Sequence, residues 1–220
     1  MKHGPLVFLP TILFCLWAAS CSPSATGDEA LLLYARAQDI YREGRFAETA
    51  TILAGQTSFV PALVLRGKAE YLSGELAAAE KTLKRALALK PHDAEASLFL
   101  ARVFRERGNM DEAQRLAEKI LGDQPSEIRT LRFAAELARQ RGAPGEAASA
   151  ALLDRAVEAS LLMSAESAMV FLDRARLRWS GGNRTGALED LGRAGMLLPD
   201  DSPVAKAVER LHSIINEVSP

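Results

Sequence analysis

Cysteine is nearly missing from this chain. Among 220 residues there are two, Cys15 and Cys21, both in the first tenth. Everything after residue 21 therefore has neither a disulfide staple nor a thiolate metal site. Histidine is almost as scarce: His3, His92 and His212 stand far apart, and no paired-histidine zinc motif exists. There is no Gly-rich phosphate loop and no nucleophile elbow, so the chain is expected not to be an enzyme and to need no cofactor or metal. An excess of basic charge is also lacking. Lys and Arg number 27 against 28 Asp and Glu, a formal net charge of -1, which argues against a nucleic-acid binder. Runs of β-branched residues are few while alanines number 38, which favours helix. What is present is a globular composition, 48% hydrophobic and 25% charged, at a length that suits one domain or two small ones.

The single long uncharged run lies at the N-terminus. Lys2 and the amino group precede Pro5–Ala19, fifteen residues without a charge and interrupted by Pro10. As a helix the run would span about 22 Å, short of the roughly 30 Å of a bilayer core. A charged start, a short apolar core and small residues at its end make residues 1–20 a secretory signal peptide. The end of the run, Ala18-Ala19-Ser20-Cys21, resembles the lipobox of bacterial lipoproteins, with Ala18 where Leu is commonest. That resemblance implies that the Cys21 thiol takes the lipid and becomes the first mature residue, on a protein held to a membrane by its acyl chains. Ser22 in place of Asp favours the outer membrane, so the expected address is the bacterial cell envelope, at the periplasmic face of the outer membrane. Residues 21–29 read as the lipidated cysteine and a flexible tether.

From residue 30 the chain repeats. Gly74, Gly108 and Gly142 are 34 residues apart, as are Ala79, Ala113 and Ala147, and Pro91 and Pro125 share the period. Residues 94–127 carry Leu100, Ala101, Phe104, Gly108, Ala113, Ala117, Ile120 and Pro125, a pattern that resembles the tetratricopeptide repeat, a 34-residue helix-turn-helix unit. Residues 60–93, 128–167 and 168–201 match through Gly67, Ala135, Ala175 and their surroundings, and residues 30–59 form a weaker first unit. The expectation is an all-α, right-handed solenoid of about five helical hairpins over residues 30–201. The amphipathic run Val204, Val208, Leu211, Ile214, Ile215 and Val218 would close it as a capping helix at 202–220. Small residues at Gly67, Ala101, Ala135 and Ala175, faced by Ala79, Ala113, Ala147 and Ala187, would let paired helices approach. The recurring glycines, Gly44 and Gly182 included, would supply the positive φ that ends each first helix.

By the same resemblance the first helix of each unit lines a concave groove. Counting the positions the family uses places there Tyr34, Tyr41, Arg42, Lys68, Tyr71, Arg102, Arg105, Arg132, Arg139, Arg176 and Trp179. Val64, Leu98, Arg129 and Leu172 fall on the same positions. Glu70 and Arg178 stand where the family buries an aromatic, which leaves open whether Tyr71 and Trp179 turn inward. Cations dominate this face, and all three tyrosines lie on it. It suits an acidic protein or peptide partner, because arginine pairs with carboxylate bidentately and aromatics give rigid contact area. The expected function is a membrane-anchored, non-enzymatic scaffold of envelope assembly or secretion. The alternative is an accessory lipoprotein of a solute transporter that handles a small ligand through a pore or pocket. The sequence carries no sign of the oligomeric state.

Overall fold

The computed structural model describes residues 27–160, 165–199 and 201–217. These form eleven α-helices, with no strand among the described residues: α1 (Gly27–Arg42), α2 (Phe46–Ile52), α3 (Val60–Leu72), α4 (Leu76–Leu89), α5 (Ala94–Glu106), α6 (Met110–Asp123), α7 (Ile128–Arg139), α8 (Ala143–Ala159), α9 (Ala165–Ser180), α10 (Arg184–Gly195) and α11 (Pro203–Glu217). Successive helices pack as five antiparallel hairpins, each against the next, and α11 packs on α9 and α10. The signal segment, Cys21 and residues 22–26 lie outside the described residues. α1 already begins at Gly27, so the last three residues expected to be tether are helical.

Local chemistry sets the helix ends. Gly44, Gly74, Gly108, Gly142 and Gly182 all have φ between 76° and 86°, where a Cβ would be strained. In the second unit Gly74 N–H donates to Tyr71 O at 3.1 Å and Glu75 N–H to Glu70 O at 2.8 Å, closing a Schellman turn. The same pair of bonds follows Gly44, Gly108 and Gly182. Side chains cap several N-termini: Asp93 accepts from Ala96 N–H, Glu127 from Thr130 N–H, Asn183 from Gly186 N–H and Ser202 from Ala205 N–H, at 2.5–3.0 Å.

The apolar core runs as a strip between the two helices of each hairpin and across to the next. Leu53, Leu83, Leu98, Leu131 and Leu191 are its fully buried anchors, each stabilising by about 1.5–3 kcal/mol. Close approach is literal at Gly67, where an added Cβ would lie 2.6 Å from Leu83 Cγ. Ala79, Ala113 and Ala187, on the second helices of their own hairpins, have no exposed surface. Ala147 differs. α8 starts one residue after Gly142, where the other second helices start two residues after their glycine, and Pro144 lies in its first turn; residue 147 is left exposed. Gly145 takes the contact instead, so close that a Cβ there would sit 1.8 Å from the Ala138 carbonyl oxygen. A second correction concerns α11, which buries Ala205, Val208 and Ile215 but leaves Ile214 45% exposed.

Two charged clusters replace the aromatics expected inside the hairpins. Glu70, 4% exposed, accepts from Arg66 Nε at 2.7 Å, while Arg66 also donates to Ala54 O at 3.0 Å. Asp190, with no exposed surface, accepts two bonds from Arg174, at 2.9 and 2.8 Å, and an ion pair from Arg178 at 2.9 Å. Arg174 reaches on to Asp154 of α8 at 2.8 Å, tying three helices together.

Candidate functional site

Two cavities open on the face made by the first helices. The first, about 500 Å³, lies against α1 and α3 and takes in Tyr34, Tyr41, Arg42 and Lys68. Val60, Pro61, Val64 and Leu65 supply its apolar wall. Its charges are already matched: Arg42 pairs with Asp39 at 2.7 Å, Lys68 with Glu95 at 2.7 Å and Lys90 with Asp93 at 3.0 Å. Tyr34 packs edge-on to Phe59, and its hydroxyl accepts from Gln38 at 3.1 Å. Burial first, and the nearby Glu95 carboxylate second, push both the Tyr34 and the Tyr41 hydroxyls above the usual phenol range, so both stay neutral donors at physiological pH.

The second cavity, about 780 Å³, runs from α3 across α5 and α7 to α9. It brings together Tyr71, Arg102, Arg105, Arg132, Arg139 and Arg176, with Arg129 also on its wall. Only Glu136 and Asp173 among its lining residues are acidic. Arg132 donates to Asp173 at 2.7 Å, Arg139 pairs with Glu136 at 2.9 Å, and Arg176 reaches Asp173 at 3.5 Å. Arg105 pairs with Glu106 and Arg129 with Glu127. Arg102 differs. It has no ion pair among the described residues, and its guanidinium lies 4.7 Å from the centroid of the Phe99 ring. Burial pulls its pKa below the usual arginine value; Tyr71 opposes this as the next-largest effect, and repulsion from Arg105, Arg129 and Arg132 adds to the lowering. A desolvated cation in the field of three others is poised to take an anion.

The counted groove positions line these two cavities with three exceptions. Trp179 lines neither cavity; it packs beside the cluster formed by α9, α10 and α11, and Leu177 and Ser180 hold the groove wall at that point. Leu98 and Leu172 are buried core rather than groove. Tyr71 turns partly inward against Phe99, with ring centroids 5.8 Å apart and an interplanar angle of 78°, yet it still borders the second cavity. Cys21, expected to carry the lipid, lies outside the described residues. Counting positions missed Phe99 and Phe133. Each lies beneath the face and carries a cation on its ring, with Arg105 5.4 Å from the Phe133 centroid. The i, i+3 spacing of Phe99 and Arg102 was the available signal.

The histidines stay apart from both cavities: His92 is exposed and contacts Asp123 at 3.0 Å, and His212 contacts Asn216 at 3.1 Å. Among the described residues no three His, Cys, Asp or Glu side chains are grouped to hold a metal ion, and no described helix is long and apolar enough to cross a membrane.

Paired helices, recurring glycine turns and a face of shared cavities define a class of protein, the repeat solenoid. Comparison with known proteins gives the type of repeat. The tetratricopeptide repeat model matches residues 71–137, which span α4, α5, α6 and α7 and their joining turns. The structure is similar to that of a thermophilic tetratricopeptide-repeat protein from Thermus thermophilus, with a TM-score of 0.71 at 15% identity over 86% of this chain and 99% of that one. Pseudomonas aeruginosa PilF gives a TM-score of 0.67 at 14% identity, covering 86% of each chain. The Cut9–Hcn1 hetero-tetramer of the APC/C gives 0.69 at 16% identity, over 84% of this chain and 37% of that one. No curated protein matches the chain. Residues 71–137 thus carry the tetratricopeptide repeat, and the described residues have an all-α solenoid fold of the tetratricopeptide-repeat type.

Proposed function

We propose that this protein is a membrane-anchored, non-enzymatic scaffold that holds an acidic protein or peptide segment along its first-helix face, in the assembly or secretion machinery of a bacterial envelope. The observation that carries the reading is the second cavity, six arginines around a space of about 780 Å³ with only two acidic side chains on its wall. Such a surface attracts and orients a negatively charged chain. Its lining comes from several units at once, so a long segment is gripped at more points than a small molecule would be. Anchoring rests on the lipobox-like Ala18-Ala19-Ser20-Cys21, which puts the attachment point six residues before α1.

The decisive test is crosslinking in the native membrane followed by mass spectrometry, with the wild-type chain and an Arg102→Glu/Arg132→Glu/Arg139→Glu variant side by side. A partner lost from the variant supports the groove; an unchanged set of partners refutes it. Cys21→Ser tests the anchor separately: the expected result is loss of the acyl mass and release from the membrane fraction. Retention of both membrane association and acyl mass would overturn the lipid assignment.

A further inference from the structure

The two cavities differ in a way that a uniformly acidic ligand does not use. The first is walled by aliphatic and aromatic side chains, and its own carboxylates, Glu95 and Asp93, already hold Lys68 and Lys90. A further carboxylate entering there gains little, because each cation is paired and Glu95 repels it. The second has Arg102 without an acidic partner among the described residues and a strong surplus of guanidinium groups. One ring joins them. Lys68 Nζ of the first cavity lies 5.4 Å from the Phe99 centroid, and Arg102 Cζ of the second lies 4.7 Å from it. Phe99 is only 8% exposed and is held edge-on by Tyr71. It therefore acts as a fixed post that positions a paired cation toward one cavity and an unpaired one toward the other.

We infer that the face reads a two-part ligand: one extended segment that places an apolar or aromatic side chain in the α1–α3 cavity and an aspartate or glutamate side chain on Arg102 in the α5–α9 cavity. This rests on the scaffold reading and narrows it. Arg102 is the specificity residue. Its guanidinium lies over the Phe99 ring and has no ion pair among the described residues, so it can offer paired hydrogen bonds to a carboxylate, whereas its five arginine neighbours are engaged with acids of this chain. Binding an anion there also removes the repulsion among Arg102, Arg105, Arg129 and Arg132, so the site rewards one carboxylate at that point more than scattered negative charge.

The test is a display library of random linear twelve-residue peptides panned on the full chain, with enriched sequences remade as end-blocked peptides and measured by fluorescence anisotropy. Enriched peptides are expected to share an apolar or aromatic residue and an acidic one. Either half alone should bind at least about tenfold more weakly than the joined peptide. Arg102→Met should weaken the joined peptide by about tenfold and abolish its preference over the same peptide with the acid changed to amide. Arg102→Lys should restore only part of the loss. Pro61→Glu, at an exposed position on the rim of the first cavity, should weaken binding while leaving the acid preference intact. Circular dichroism of each variant separates lost binding from lost fold.

Enriched peptides with acidic residues alone, or joined peptides that bind Arg102→Met unchanged, overturn the two-part reading, as does a library with no enriched sequence. A phosphoserine in place of the acid that binds more than tenfold more tightly moves the assignment from carboxylate to phosphate and overturns it as well. The outcomes separate the two levels. Peptides that lose binding in the triple arginine variant but lack the two-part pattern sink this inference and leave the scaffold standing. Peptides indifferent to the triple variant sink the groove itself.

Discussion

Asp190→Asn is the sharpest test of how the C-terminal hairpin is held. Asp190 has no exposed surface, and Arg174, the main partner, is about 10% exposed at its side chain. One carboxylate satisfies two guanidinium groups at 2.8–2.9 Å, while Arg193 stands further off at 3.9 Å. The amide is isosteric but neutral and turns one acceptor into a donor, so it faces Arg174 with an N–H where an oxygen stood. Removing one member of a buried pair typically destabilises by about 3–5 kcal/mol, because the other charge stays buried and uncompensated. Arg174 keeps Asp154, which is 58% exposed, so the expected loss is nearer the lower figure, about 3 kcal/mol. Against a usual total of roughly 5–15 kcal/mol, that is a large share. Urea unfolding measures the global loss. Hydrogen exchange should show α9 and α10 losing protection before α3, α4 and α5, because each repeat leans only on its neighbours. Repeating the substitution in an Arg174→Met background should reduce its effect by at least about 1 kcal/mol. A loss below about 1 kcal/mol, or full additivity in the double variant, would refute the argument that this pair is buried and coupled.

Three further outcomes are expected. Gly145→Ala should destabilise by more than about 2 kcal/mol, since its Cβ would meet the Ala138 carbonyl oxygen at 1.8 Å, whereas Ala147→Ser on the exposed face should change urea stability by less than about 0.5 kcal/mol. Arg66→Met should destabilise more than Arg66→Met/Glu70→Leu, because only the single variant leaves the buried Glu70 carboxylate alone; thermal unfolding ranks the two. Glu127 contributes to the pH dependence, along with Glu80 and Glu136, whose pKa values are also lowered. Burial alone would raise the Glu127 pKa, but hydrogen bonds from Thr130 and Arg129 outweigh that and hold it below the usual carboxylate range. A carboxylate depressed in the folded state stabilises above its unfolded pKa, and the stabilisation disappears as pH falls through the lower folded value. Wild-type stability should therefore fall more steeply with acidification below about pH 5 than that of Glu127→Ala, which should also lose about 0.5–2 kcal/mol at neutral pH with its helix cap.

Much of the architecture was legible because it is local. Three of the positive-φ glycines, Gly74, Gly108 and Gly142, recur on a 34-residue period, and a glycine at the end of a first helix has one conformational meaning wherever it stands. Gly67, Ala79 and Ala113 could be read as close-approach positions for the same reason. Ala147 broke the rule because α8 starts one residue sooner after its glycine than the other second helices do, with Pro144 in its first turn, and phase is set by where a helix begins, not by spacing from the previous unit. The groove was legible as a set of residues and illegible as a surface. Tyr34, Lys68, Arg102 and Arg132 fall where counting put them. Trp179 does not, since Arg178 is drawn to Asp190 and the ring is left beside the cluster that α9 and α10 form with α11.

The sequence by itself determined the secondary structure class, the repeat unit and its turns, and the surplus of arginine on one helix face, because helix periodicity, capping and glycine φ are properties of a few neighbouring residues. Only the tertiary structure decided which of those arginines are spent on acids of this chain and which is not. Glu95, Asp173 and Asp190 come from different helices than several of the cations they hold, and Phe99 meets one cation from each cavity only after α3 and α5 have packed. Charge pairing depends on distance through space, which the solenoid sets and the spacing of residues along the chain does not.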